Sequence, residues 1–504
     1  HSNPLSLEKL DAIVSYAQLI AETRFEPVFR NLSGEALKTQ VKNFRQDIRK
    51  YRAERSDAIL YKHAGVFQAN LKLLAAPSSR LSEQQKKTKT NFKDARKTIT
   101  HELNKKRQHL SVLELMTNHT STIMELLPLW LMNPLSAGQF LPCKKNLFDV
   151  VIFDEASQIP LEDALPSIFR GAQLIVVGDS KQMPPSYFFI SGSETKTLLD
   201  QAAFNLKNVT LRNHYRSEHP ALIQFSNSHF YDFELAALPP VKSDYPIECI
   251  EVNGVFEDQK NNKEAKSIAH YYAELLKQKI TDVAIISFSK EQQLAIENEI
   301  QKLNLPQNEN LIIRNLENVQ GIEKKIVLIS IGYAKNKEGV FRKQFGPVNT
   351  ENGINRLNVM FTRAVEKLVV FKSVSSADFG YSENPGTSAL SDFIRFAENG
   401  SEIAGYYKDT LTAFQNQILS LLEQNKIDFK LYSAESGVGI TSFVQHQSNK
   451  ILLADPCTGQ NETHDFKAMM SGIQDRFKNI MIVLSADYLK NRKKTEEAVL
   501  NFLR

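Results

Sequence analysis

Apolar positions change their spacing along the chain, and each change predicts a different kind of structure. In the first 25 residues Leu5, Leu7, Leu10, Ile13, Val14, Ala17 and Ile20 recur at helical spacing, which predicts an amphipathic helix. From about Ser33 to Leu115 glycine almost vanishes and Lys, Arg, Gln and Glu dominate, as in Arg45 to Arg55 and Gln84 to Lys89. This texture predicts long helices forming a projecting hairpin, broken at Pro77-Ser78-Ser79.

At about Leu127 the texture turns to short continuous apolar runs. Phe148-Asp-Val-Val-Ile-Phe-Asp154 and Ala172-Gln-Leu-Ile-Val-Val-Gly-Asp179 read as strands flanking a short helix over Leu161–Arg170. Uninterrupted apolar strands separated by helices predict a buried parallel sheet. The same rhythm returns at Asp282 to Phe288, Lys325 to Ile331 and Lys367 to Lys372, with a helix over Gln292–Leu303. Two α/β domains follow, divided near Ala236 to Tyr245, where Leu238-Pro-Pro and Tyr245-Pro interrupt the pattern. From about Ser401 a smaller α/β domain is expected, with helices over Phe414–Gln424 and Thr495–Leu503 and strands at Ile451–Ala454 and Ile480–Leu484.

Composition narrows the class. The 504 residues are 42% hydrophobic and 24% charged, the balance of a chain with real cores. No apolar run is long enough for a membrane-spanning helix, and the first ten residues do not form a signal peptide. Three cysteines, Cys143, Cys249 and Cys457, show neither a disulfide framework nor metal-ligand spacing, so a reducing, cytoplasmic setting is expected. The net charge of +5 says little by itself. The basic runs of the helical segment read either as a solvated face or as a nucleic-acid contact.

Five short motifs carry the chemistry. Val150-Val-Ile-Phe-Asp154-Glu155 ends a strand in two carboxylates, at the edge of an open α/β sheet where ligands bind. There Asp154 can hold a divalent cation, and Glu155 can orient or deprotonate a water attacking a phosphoryl group. Gly178-Asp179-Ser-Lys-Gln182-Met-Pro-Pro185 follows, with Gln182 placed to sense phosphate or water. Next come Tyr215-Arg216-Ser217, Val319-Gln320-Gly321-Ile-Glu323, and Arg356-Leu-Asn-Val-Met-Phe-Thr362-Arg363-Ala364. Singly each is weak, and their order makes the set specific.

On these residues the chain resembles superfamily 1 helicases of the up-frameshift-like branch, over about Leu127 to Phe396. Trp130 to Leu141 and Phe345-Gly-Pro-Val-Asn349 look like the large bacterial proteins that join such a motor to an endonuclease-like tail, several of which look like antiphage defence components. The resemblance implies an α/β fold with two RecA-like parallel-sheet domains, a long helical insertion and a small C-terminal restriction-endonuclease-like domain. The expected parts are the start of a first RecA-like domain (1–25), a basic helical insertion (26–125), the remainder of that domain (126–240), a second RecA-like domain (241–400) and the tail (401–504). It implies ATP and Mg²⁺ as cofactors and single-stranded or duplex nucleic acid, DNA foremost, as partner. Asp154 would serve as metal ligand, and Glu155 would activate water. Gln182 would couple the γ-phosphate to motion, while Arg216 and Arg363 would act as arginine fingers. Gln320, Gly321 and Glu323 would contact the nucleotide or the strand path, and Asn133, Ser136, Ser330 and Thr362 would touch the strand.

The pattern breaks in two places. No Gly-x-x-x-x-Gly-Lys-Ser/Thr occurs in the 504 residues, although that loop holds the β- and γ-phosphates in such motors. Relatives carry it ahead of a His-Ser-Asn-like segment, which here is His1-Ser2-Asn3. Three readings stand open: an upstream part removed from this chain, a separate polypeptide supplying the loop, or a remnant that binds without hydrolysing. The tail resembles nuclease domains of the PD-(D/E)XK type, of the very-short-patch-repair kind. Thr441 stands where their metal-binding Asp is expected and Pro456 where their Glu is, so no cutting is expected. Asp455 and His464 could serve as salvage ligands. The resulting expectation is a nucleic-acid-dependent ATPase, helicase or translocase. The alternative is a catalytically inactive nucleic-acid- or protein-binding subunit of a defence complex.

Overall fold

In the computed structural model, residues 34–184, 196–350, 352–403, 411–432, 440–455 and 463–504 are described. The expected N-terminal helix over residues 1–25 lies outside them, as do Pro185, Pro456 and Cys457. The described chain divides into two compact units, one of residues up to 153 with 161–175, the other of residues 154–160 and 176–504.

The first unit begins with the expected hairpin. Helix α1 (Gly34–Ala75) has 42 residues and so runs about 63 Å at the rise of an α-helix. A short 3₁₀ turn at Ser78–Arg80 then leads into α2 (Glu83–Asn104). Pro77 forces the break, because its ring cannot continue the helix, and Ser82 restarts it through a capping box with Gln85. Phe67 meets Phe92 edge-on across the hairpin, at 5.4 Å between ring centres. Most other side chains described on α1 are exposed, among them Tyr51, Ile59, Leu60 and Tyr61. Helix α3 (Val112–Leu126) is tied to α1 by Asn70 donating to Glu125 (2.9 Å). It buries Met116 with Ala137 of α4 (Pro134–Phe140) and with Leu141.

Strand β1 (Phe148–Phe153), helix α5 (Leu161–Phe169) and strand β2 (Gly171–Val176) form the expected strand–helix–strand unit. The expectation that this sheet is buried is corrected. Among the described residues it has two strands, and Ile152 is 64% exposed and Val150 40% exposed. A two-stranded sheet gives its side chains too few neighbours to leave water. Arg170 anchors this region, buried and donating to the backbone oxygens of Leu141 (2.8 Å), Pro142 (3.1 Å) and Pro166.

The second unit opens with α6 (Leu198–Asn205), the short parallel pair β3 (Asn213–His214) and β4 (Ala236–Ala237), and between them α7 (Ala221–Phe230). Its core is a sheet of β5 (Ile247–Glu251), β6 (Val283–Ser287), β7 (Ile312–Asn315), β8 (Lys324–Ser330) and β9 (Ala364–Lys372). They are ordered β5-β9-β8-β6-β7, and every neighbouring pair is parallel. Helix α8 (Asn262–Lys277) follows β5, and α9 (Lys290–Lys302) follows β6. Helix α10 (Gly353–Phe361) precedes β9, and α11 (Ser376–Phe379) and α12 (Pro385–Ile403) follow it.

Alternation along each strand sorts the two faces. Val283 and Ile285 of β6 pack with Ile268 and Tyr272 of α8 and Ile296 of α9. Ala284 and Ile286 face the other way, toward a core with Phe225 of α7, Leu357 of α10 and Phe393 of α12. A parallel sheet covered by helices on both faces fits a RecA-like domain. It required strands the apolar runs did not announce, β5 and β7, whose sequences Ile-Glu-Cys-Ile-Glu and Ile-Ile-Arg-Asn carry charge or amide.

The C-terminal part has α13 (Ala413–Gln424), β10 (Lys430–Tyr432), β11 (Ser442–Gln445), β12 (Lys450–Ala454), α14 (Thr463–Arg476), β13 (Asn479–Val483), α15 (Ser485–Lys490) and α16 (Arg492–Leu503). The sheet runs β10-β11-β12-β13, antiparallel except for the last pair, which is parallel across α14. Helices α13 and α16 and strands β12 and β13 stand where the apolar runs place them, whereas no run announces β10, β11, α14 or α15.

Candidate nucleotide and strand site

The acidic motif sits at a sharp turn. Phe153 ends β1, and Glu155 takes a left-handed backbone (φ 53°), which costs free energy in a side chain without special licence. The turn is held from both sides. Ala156 N donates to Val177 O (3.0 Å), and the backbone of Ala156 and Ser157 lies so near Gly178 that a Cβ there would come within 3.1 Å of Ala156 N. Glycine at 178 therefore lets the Gly178-Asp179 loop lie against the Asp154-Glu155 turn. Asp154 and Glu155 are both exposed, and one Asp154 oxygen accepts the Glu155 N–H (2.9 Å).

The turn meets the later motifs. Glu155 Oε2 accepts from Gln320 Nε2 (3.0 Å), 165 residues along the chain. The other amide atom, Gln320 Oε1, is buried without a hydrogen-bond partner. Gly321 stands next at φ 76°, a left-handed turn that glycine adopts without strain. Glu323 accepts from Arg216 Nε (2.7 Å). Glu155, Gln320, Glu323 and Arg216 thus belong to one neighbourhood.

Arg363 faces the same charges but is placed differently from an outstretched finger. It is 3% exposed, and its guanidinium donates to Val359 O (2.6 Å), Ile322 O (3.4 Å) and Thr362 Oγ1 (2.8 Å). Burial, and next the like charge of Arg216, pull its pKa down to about 10, with Glu155 and Glu323 opposing the shift. Arg216, Glu155 and Glu323 therefore all stand within electrostatic reach of Arg363.

A second cluster lies beside the first. Asp179 Oδ2 accepts from Gln182 Nε2 (2.9 Å) and from the Tyr231 hydroxyl (2.6 Å). Asn358 donates to the same hydroxyl (2.9 Å) and to Lys181 O (2.8 Å), and Asn355 donates to Gln182 O (3.0 Å). Burial, then Asp179, raises the Tyr231 pKa, so its proton stays in place. Helix α10 is thereby docked on the Asp179–Gln182 loop. Tyr231, Asn355 and Asn358 were given no role by the motifs, and Asp179 stood in its motif without one. Asn358 stood in the Arg-Leu-Asn motif and Asn355 just ahead of it, whereas Tyr231 carried no signal at all.

The expected strand contacts separate. Asn133 is the N-cap of α4, accepting the Ser136 N–H (2.7 Å), and both belong to the first compact unit. Ser330 is fully buried, donating to Glu264 (2.7 Å) and accepting from Gln292 (3.0 Å). Thr362 is buried against Asn358 O (3.0 Å) and Val359 O (3.1 Å). Neither hydroxyl reaches the surface, so each is spent inside the domain. In the tail, Asp455 accepts the Ser485 N–H (2.7 Å), and among the described residues no cluster of three metal-ligating side chains occurs.

Among the described residues no helix is long and apolar enough to cross a membrane. A family model for an AAA domain matches residues 193–375. The chain is 31% identical over 313 residues to the ATP-dependent helicase MG140 homolog of Mycoplasma pneumoniae, covering 55% of this chain and 28% of that protein. It is 26% identical over 252 residues to the ATP-dependent helicase MJ0104 of Methanocaldococcus jannaschii, covering 44% and 35%. To the 5'-3' DNA helicase ZGRF1 of Mus musculus it is 29% identical over 261 residues, covering 46% and 13%. The matched part thus spans about a third or less of these relatives' length. The AAA-domain match falls on the part of the chain that holds the Arg216, Gln320 and Arg363 motifs, and the relatives are named as helicases.

Proposed function

We propose that this chain is the motor part of an ATP-dependent helicase or translocase acting on nucleic acid, DNA foremost, with residues 126–240 and 241–400 as its two motor lobes. The observation that carries it is the Glu155–Gln320 hydrogen bond (3.0 Å), beside the Arg216–Glu323 pair (2.7 Å). It gathers residues from separate motifs around one exposed carboxylate.

The residues present fit ATP and Mg²⁺. Exposed carboxylates at Asp154 and Glu155 are the hard oxygen donors that Mg²⁺ takes alongside phosphate. Bound ATP would supply the phosphoryl group to be transferred, and Asp154 would hold its metal. Glu155 orients a water and accepts its proton, and Gln320 fixes the carboxylate through one oxygen, leaving the other for that water. Arg216 can leave Glu323 for a phosphate oxygen, a move its half-exposed position permits. Arg363, bound to its own backbone, acts through its field as a fixed positive charge. A phosphate-holding loop is needed as well, and no Gly-x-x-x-x-Gly-Lys-Ser/Thr occurs in these 504 residues.

Nucleic-acid-stimulated ATPase measured on the native assembly tests this reading. Glu155→Gln is expected to lower kcat by at least about 100-fold. Absence of stimulated turnover in the unaltered assembly would overturn it. In that event the inward-held guanidinium of Arg363, donating to Val359 O, Ile322 O and Thr362 Oγ1, favours the second reading, a binding platform without hydrolysis.

A further inference from the structure

The C-terminal domain holds the motor's Arg216 loop by its backbone. Arg476, the last residue of α14, donates to four carbonyl oxygens: Tyr215 (3.0 Å), Ser217 (2.8 Å), Glu218 (3.2 Å) and Pro239 (3.4 Å). The first two flank Arg216 on either side. The loop is pinned elsewhere by Glu218 N donating to Val365 O (2.8 Å) and by His214 Nε2 accepting the Ser217 N–H (3.2 Å). Burial, followed by Arg216 and Arg476, holds the His214 imidazole down at about 4, so at neutral pH that nitrogen is free to accept.

The same domain grips the segment after the loop. Leu238 packs in the tail's own core with Tyr432, Ile440, Met469, Met470 and Ile473. It lies so close to α14 that a Cβ on Gly472 would fall 2.6 Å from its Cδ1. His446 Nδ1 bonds Val241 O (2.8 Å), and Lys430 donates to Ser243 O (3.0 Å). Tyr215–Ser217 directly follows β3 and Leu238–Ser243 directly follows β4, so the tail holds both segments that leave this parallel pair at its carboxyl end, Arg216 in the first of them.

We propose that Arg476 is a positioning residue for Arg216, and that the tail is a buttress of the motor. A guanidinium suits this task, because its rigid fork serves several carbonyls at once where an ammonium serves fewer. The functional half of the inference rests on the motor reading above, and the structural half does not.

Two measurements on Arg476→Ala and Arg476→Lys test it. Hydrogen exchange on the 504-residue chain is expected to speed up at Ser217 and Glu218, with the amides of β6, β8 and β9 unchanged. Unchanged exchange at 217–218 overturns the proposal. In the native assembly Arg476→Ala is expected to lower kcat about 10- to 100-fold, the scale of a misplaced catalytic group, with KM nearly constant. Arg476→Lys should recover part of that loss. On an Arg216→Ala background the Arg476 substitution should cost nothing more, because the group it positions is gone. Additive losses, or a change in KM and melting temperature alone, overturn positioning. If Arg476→Ala also loosens β10–β13, the same two measurements on Arg476→Lys decide. If the unaltered assembly shows no turnover, the motor reading fails while the exchange result still decides whether Arg476 fixes the loop.

Discussion

Strands β1 and β6 read almost alike, Phe-Asp-Val-Val-Ile-Phe and Val-Ala-Ile-Ile-Ser, yet the first leaves Ile152 64% exposed and the second buries every residue. Local sequence cannot make that difference. Strand β6 has β8 and β7 at its two edges and a helical core against each face. Among the described residues strand β1 pairs with β2 alone. Burial is a property of neighbours, and an apolar run records only that some are expected.

The largest effect should come from the crowded sheet. Phe371 of β9 is fully buried in the core that holds α8 and α9. Phe371→Ala should destabilise the second unit by about 3–5 kcal/mol, read from the denaturant midpoint. Ile152→Ala in the sparse sheet should cost less than about 1 kcal/mol. Equal costs would break the comparison.

The crowded sheet also confines a charge. Glu264 of α8 is fully buried, accepting from Ser330 (2.7 Å), Gly332 N (2.7 Å) and Ser373 (3.1 Å). Burial outweighs these bonds and pushes its carboxyl up to about 7. A raised carboxyl favours the folded state while protonated. Its contribution is full below the unfolded value near 4.5 and is lost as pH climbs toward 7. Across that window the stability of the unaltered chain should fall relative to Glu264→Gln, by about 3 kcal/mol at most. A constant difference between pH 4.5 and 8 would show that the carboxyl keeps its ordinary affinity.

In the first unit a polar anchor stands in for an apolar layer. Arg170→Ala strands three carbonyl oxygens and should cost about 2–3 kcal/mol, measured as loss of protease resistance between 134 and 175. A negligible effect would mean that the packing of Met116, Ala137 and Leu141 suffices there.

Legibility followed the same division. Long apolar runs located β6, β8, β9 and β12 to within a few residues, because burial on both faces demands such runs, and they located the partly exposed edge strand β13 as well. Strands β5, β7 and β10 escaped because edge positions tolerate Glu, Arg and Lys, and interior β11 escaped because Ser-Phe-Val-Gln is too short and too polar at its ends to stand out. The motifs identified Glu155, Gln320, Arg216 and Glu323, which the fold brings together. They could not tell which side of a surface a residue takes. Ser330 and Thr362 lie inside, and Arg363 is held by the carbonyls of Val359 in the preceding helix and of Ile322. Asp179 and Tyr231 meet across 52 residues, a juxtaposition no local spacing encodes.

The smallest predicted effect discriminates most sharply between neighbour and sequence as the cause of burial. Ile152→Thr keeps the β-branch that suits a strand and removes apolar surface that is already largely in water. If exposure at β1 is the working state of this chain, the change in its unfolding midpoint should be within about 0.5 kcal/mol of zero. If some further polypeptide covers β1 in the native assembly, the same substitution should weaken the assembly while leaving the 504-residue chain untouched. Measuring both on one variant separates a strand that works uncovered from one that waits for a partner, since only the second makes the cost depend on what else is present.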